Sequence, residues 1–186
     1  MKRTQRYLFL IMSALVLVWL LSTRLPARAS LWLLAMLLGV VVALALWGRQ
    51  LLIGRYHFGR RNWRRAFEHY QRFERMLLAS RWSNFAVPLG IYSFDGVAIA
   101  RNQMAQSLLN LGDADGAEYW LRAALRRDPY YAVPYVYLGV LAALRKDVAT
   151  AKREMSRAVE LGYSATSAQT HLSRALARAE AAGKVQ

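Results

Sequence analysis

Residues 98–131, AIARNQMAQSLLNLGDADGAEYWLRAALRRDPYY, and residues 132–165, AVPYVYLGVLAALRKDVATAKREMSRAVELGYSA, are consecutive stretches that share one apolar pattern at a period of 34. Self-similarity at such a period marks a repeat architecture. Ala117, Leu121, Ala124 and Leu125 recur as Ala151, Met155, Ala158 and Val159, while Met104, Ala105 and Leu108 recur as Leu138, Gly139 and Ala142. These positions are spaced for one face of a helix, and the small residues among them repeat where helices touch. The punctuation repeats as well, Leu111-Gly112-Asp113 being answered by Arg145-Lys146-Asp147 between two amphipathic patterns. The expected class is therefore all-α, with helix pairs joined by tight turns. One step further along, Leu138 and Ala142 map to Leu172 and Leu176, so residues 166–182 read as a last helix without a partner, a cap.

These residues resemble the tetratricopeptide repeat family, whose units are helix-turn-helix pairs with large and small apolar residues at fixed spacing. Tyr135, Leu138 and Gly139 match the aromatic and Leu-Gly signature of the first helix, and Ala151, Met155 and Ala158 match the second. In the preceding unit Ala117, Leu121, Ala124, Leu125 and Pro129 fit, but Arg101 stands where an aromatic is usual; the later unit has Tyr163 in place of a closing proline. The resemblance implies a superhelix whose first helices line a groove. The groove positions would be Asn102, Gln106 and Asn110, then Val133, Val136, Val140 and Leu144, then Arg174 and Arg178. Family members that clamp a chaperone's C-terminal carboxylate use lysine and arginine at positions held here by Asn102, Gln106, Tyr137, Ser167 and His171, so that ligand is not expected.

A degenerate earlier unit is expected over residues 49–78, because Trp63, Ala66, Tyr70 and Phe73 show the second-helix spacing 51 residues before Ala114, Ala117, Leu121 and Ala124. Its first helix would continue from the apolar run that precedes it, although Gly54 and Gly59 weigh against an unbroken helix, since each costs about 1 kcal/mol relative to alanine. The extra residues form a linker, 79–97, that holds Trp82, Phe85, Pro88, Tyr92 and Phe94. Such a linker is long for a helical repeat. Its aromatics suit either packing on the domain or contact with a partner or membrane.

The front of the chain has a different solvent. No acidic residue occurs before Glu68, yet 11 of the 26 Lys and Arg do. Two uncharged apolar runs, 7–22 and 31–48, flank a short connector, 23–30, that contains Pro26. Ten Leu, Ile, Val or Phe in each run supply about 3 to 6 kcal/mol for insertion. The expectation is an N-terminal two-helix transmembrane hairpin followed by the helical-repeat superhelix. Lys2, Arg3 and Arg6 in residues 1–6, together with Arg49, Arg55, Arg60, Arg61, Arg64 and Arg65, outnumber Arg24 and Arg28 in the connector. Both termini are therefore expected in the cytoplasm, with the chain multi-pass in the bacterial inner membrane. A competing reading makes the N-terminus a cleaved secretory signal ending near Ala27-Arg28-Ala29; the apolar run that follows at once, and the six arginines beyond it, argue against export.

Chemistry is sparse. With no cysteine there is neither a disulfide nor a thiolate ligand. His57, His69 and His171 are widely spaced, and none belongs to a zinc-binding helical pair. Asp113, Asp115 and Gly116 resemble the start of a calcium loop but lack its distal glutamate, and a helical turn explains them. No enzyme, cofactor or metal is expected. The arginines from Arg49 to Arg65 suit anionic lipid headgroups, each worth about 1 kcal/mol near the surface, rather than nucleic acid. The expected role is a membrane-anchored scaffold or adaptor that binds a protein partner, itself membrane-associated, at the cytoplasmic face. The alternative is an accessory subunit of a transporter, secretion or envelope-synthesis complex whose hairpin makes the main contact.

Overall fold

The structure is a computed structural model that describes residues 31, 32, 35, 36, 38, 39, 42, 48–79, 93 and 95–183. The chain divides into two compact units, residues 1–49 and 50–186. The expected spans at 7–22 and, for the most part, 31–48 lie outside the described residues, as do the connector and residues 43–47, where the second run was expected to continue into the repeat. Among the described residues no helix is long and apolar enough to cross a membrane. In the first unit Leu31, Trp32, Met36, Leu38 and Val42 are helical and exposed.

Seven helices are described: α1 (Arg49–Gly59), α2 (Trp63–Ala79), α3 (Gly96–Leu111), α4 (Ala114–Arg127), α5 (Ala132–Leu144), α6 (Val148–Glu160) and α7 (Ala165–Gly183). No strand occurs among the described residues, so the all-α class holds.

One turn explains why the helices end where they do, and its last copy is Gly162 at φ 97° with Tyr163, bonded to the Val159 and Ala158 carbonyls. Between α3 and α4, Gly112 adopts φ 86°, its N–H donates to the Leu109 carbonyl, and the Asp113 N–H donates to the Leu108 carbonyl. This pair of bonds is the Schellman closure, which satisfies carbonyls that a helix end leaves open. Thirty-four residues on, Lys146 at φ 64° and Asp147 make the same bonds to Ala143 and Ala142. Fifty-one residues back, Arg61 at φ 59° and Asn62 make them to Phe58 and His57. The next residue type then starts a helix. Asp113 accepts from the Gly116 N–H at 2.8 Å, Asp147 from the Thr150 N–H at 3.0 Å, and Asn62 from the Arg65 N–H at 3.4 Å. Such caps contribute about 1 kcal/mol each.

Within the second unit the helices stack in sequence. α2 packs on α3, α3 on α4, α4 on α5, and α5 on α6, while α7 covers both α5 and α6 and α3 also touches α5. The repeated small residues sit at the contacts: Ala117, Ala124, Ala151 and Ala158 are wholly buried, with Leu121 and Met155 beside them. Leu121 joins Ala105 and Leu141 in one cluster, and Met155 joins Val136, Ala168 and Leu172 in another. A buried leucine of this kind contributes about 1.5 to 3 kcal/mol.

α1 runs through Gly54 and ends at Gly59. Gly54 is buried against Tyr70, and a Cβ there would lie 2.5 Å from Tyr70 Cε1, so glycine permits the close approach of α1 to α2. Arg101, the residue out of keeping with its neighbours in the sequence pattern, has a partner from another helix. Its Nε donates to Glu74 Oε1 of α2 at 2.7 Å, and its guanidinium also reaches the Ala123 carbonyl of α4 at 3.1 Å. Of the expected linker, the aromatics Trp82, Phe85, Tyr92 and Phe94 lie outside the described residues. Its end is fastened to the α4–α5 region: Ser93 Oγ donates to Asp128 at 2.7 Å, and Arg127 pairs with Asp95 at 2.9 Å.

Candidate partner-binding surfaces

Three surfaces follow from this packing. The first carries the positions expected to line a groove. Asn102 is wholly buried, its Nδ2 donating to the Tyr131 hydroxyl at 3.1 Å, while its Oδ1 has no hydrogen-bond partner among the described residues. Burial pushes the Tyr131 hydroxyl pKa up. Val136 is also buried, and Val133 and Val140 are half-buried against the neighbouring clusters. Gln106 is half-buried and its main-chain carbonyl accepts from Asn110 Nδ2 at 2.7 Å. Exposure remains at Asn110, Leu144, Arg174 and Arg178. The valines and Asn102 thus serve helix packing, and the polar ends are what this face offers to solvent.

The second surface belongs to α1 and α2. Arg49, Arg55, Arg60, Arg61, Arg64 and Arg65 are all exposed. None has a carboxylate partner among the described residues, although Arg60 lies 4.7 Å over the Tyr56 ring. Leu52, Ile53 and Tyr56 expose apolar surface beside them. The same helix pair brings His57 and His69 together, their rings stacked with centroids 5.3 Å apart, and His69 Nδ1 donates to Gln50 Oε1 at 2.8 Å. Burial, then Arg72 and His57, hold His69 below its ordinary pKa, against Glu68. His171 stands apart, between Tyr137 and Tyr163 at 6.4 and 6.5 Å. Among the described residues no group of three His, Cys, Asp or Glu is placed to hold a metal ion.

The third surface, a cleft of about 700 Å³, is lined by residues of α4, α5 and the start of α6. Leu125, Tyr135, Leu138, Leu141 and Ala142 form its apolar floor. Arg122, Arg126, Arg145 and Arg153 stand around it with Glu118, Asp147 and Glu154. The carboxylates are already engaged. Glu118 accepts from both Arg122 and Arg145, which hold its carboxyl below the usual range. Asp147 caps α6, where the Thr150 N–H lowers its pKa, and Glu154 pairs with Arg153 at 3.2 Å. Arg126 is exposed and has no ion-pair partner among the described residues. Sequence reasoning, concerned with the first helices, missed this surface. A signal for it existed in the Glu118, Arg122, Arg126 run at i,i+4 spacing with Leu125 alongside.

No protein-family model matches this chain, and no curated protein matches it. The three surfaces therefore stand on their own chemistry.

Proposed function

We propose that the chain is a membrane-anchored scaffold of tetratricopeptide-repeat type, with a transmembrane hairpin over 7–22 and 31–48 and its helical repeats presented to the cytoplasm. The repeats recruit or hold a membrane-associated protein partner, and the protein performs no catalysis of its own. The observation that carries this reading is a set of six exposed arginines on α1, on α2 and in the turn between them, without a carboxylate partner among the described residues. Like charges gathered on one surface repel and weaken the compact state, a cost that a neutralising partner removes. Anionic headgroups would neutralise them, each contact adding about 1 kcal/mol. The recurrence of one turn at 34 and 51 residues supports the helix-pair repeat. Anchoring confines both molecules to two dimensions, so a modest contact suffices through effective concentration.

The accessory-subunit reading uses the exposed apolar side chains of Leu31, Trp32, Met36 and Leu38 as contacts for other membrane helices, where the scaffold reading gives them to lipid. Crosslinking in native membranes followed by mass spectrometry separates the two. Under the scaffold reading, photocrosslinkers on α3–α7 capture the partner; under the other, only those within 7–48 do. Flotation of the full chain with the six arginines replaced by glutamine tests the lipid contact: the parent's stronger retention on anionic than on neutral vesicles should disappear in the variant, and a preference that survives the replacement counts against it.

A further inference from the structure

The cleft between α4 and α6 is built to hold something, and its chemistry narrows what. Its apolar floor runs along α5 from Tyr135 to Ala142, a length of roughly 10 Å at 1.5 Å rise per residue. A short segment of a partner is enough to span it.

Charge selects further. The three rim carboxylates are consumed by Arg122, Arg145, Arg153 and the α6 N-terminus, which among the described residues leaves Arg126 unpaired and Arg122 sharing its partner. A polyanion such as nucleic acid or a lipid surface would meet Glu118, Asp147 and Glu154 as well as the arginines, and it would leave the apolar floor uncovered. A short segment with apolar side chains and isolated carboxylates satisfies both. We infer that this cleft is a docking site for a short, acidic-apolar segment of a protein partner, with a carboxylate seated on the Arg126 guanidinium and apolar side chains on Leu125 and Leu138. The site lies on the second-helix face, distinct from the first-helix groove, and it does not depend on the membrane anchor.

The test uses the full chain in neutral detergent and three fluorescein-labelled octapeptides: alternating Leu and Glu, alternating Leu and Lys, and alternating Ser and Glu. Fluorescence anisotropy should show the Leu/Glu peptide binding at least tenfold more tightly than either of the others. Arg126→Glu should remove that preference, whereas Arg75→Glu, on exposed α2 surface outside the cleft, should leave it within twofold. Unchanged thermal melting of both variants establishes that they fold. Equal binding of the Leu/Glu and Leu/Lys peptides would overturn the inference, as would a preference that survives Arg126→Glu. Binding of the Ser/Glu peptide as tight as that of Leu/Glu would reduce the cleft to a charge patch and also overturn it. A dimer by light scattering that Arg126→Glu dissolves would assign the cleft to a second copy of the chain instead.

Discussion

Replacing Arg101 by alanine should destabilise the helical unit more than any exposed arginine does. Glu74 would be left with its side chain only 7 % exposed and no counter-charge, and the Ala123 carbonyl would lose its donor. Removing one partner of a buried ion pair costs about 3 to 5 kcal/mol, because the remaining charge stays desolvated. Arg101 is itself 22 % exposed, which admits some water and places the expected loss at the lower end, about 3 kcal/mol. For a helical unit of this size that corresponds to a fall of roughly 10 °C in Tm. The assay is circular dichroism melting of the full chain in neutral detergent, with Glu74→Met, Arg101→Met and the double variant completing a cycle. The double variant should lie within about 1 kcal/mol of the parent, since removing both charges leaves neither stranded. A loss below 1 kcal/mol for Arg101→Ala, or single effects that simply add in the double variant, would refute the pairing.

Other expectations follow from particular atoms. Lys146 and Gly112 occupy the same left-handed turn position, so Lys146→Gly should raise stability and Gly112→Ala lower it, each by about 1 kcal/mol, in the same melting assay. The Tyr70 hydroxyl is buried without a hydrogen-bond partner among the described residues, and burial pushes its pKa up to about 12. Tyr70→Phe should therefore be neutral or stabilising by about 1 kcal/mol, against the usual outcome for a core tyrosine. His69 has a folded pKa below its ordinary 6.5, set by burial, Arg72 and His57. The unfolded chain then takes up its proton first, so stability should be constant above about pH 7 and decline as pH falls below 6.5. Hydrogen exchange in α1 and α2 should report that decline, and His69→Gln should flatten it.

What could be read from the residues alone was whatever is locally encoded. The turn at Gly112 and Lys146 is set by adjacent backbone and a capping Asp, and so its recurrence at 34 residues was visible as pattern, whereas the copy at Arg61 and Asn62 came only with the structure. Burial of Ala117, Leu121, Ala151 and Met155 followed from helical spacing. Arg101 was legible only as a misfit, because Glu74, its partner, is 27 residues away on another helix. Asn102 looked like a ligand-facing amide for the same reason: the Tyr131 hydroxyl that accepts its hydrogen bond lies 29 residues on. His57 and His69 seemed scattered along the chain until the α1–α2 turn stacked them. The cleft over α5 was the least legible of all, since the gap between α4 and α6 depends on how three helices pack and not on the composition of any one.

The chain's lack of cysteine permits a direct test of the proposed sidedness. Single cysteines at Thr4, at Ala27 in the connector and at Ser156 on exposed α6 surface would be probed in intact spheroplasts with a membrane-impermeant maleimide. The account predicts labelling at Ala27→Cys alone, with Thr4→Cys and Ser156→Cys reacting only after lysis. Labelling of Ser156→Cys in intact spheroplasts would put the helical repeats on the outer face and contradict the scaffold reading at its root.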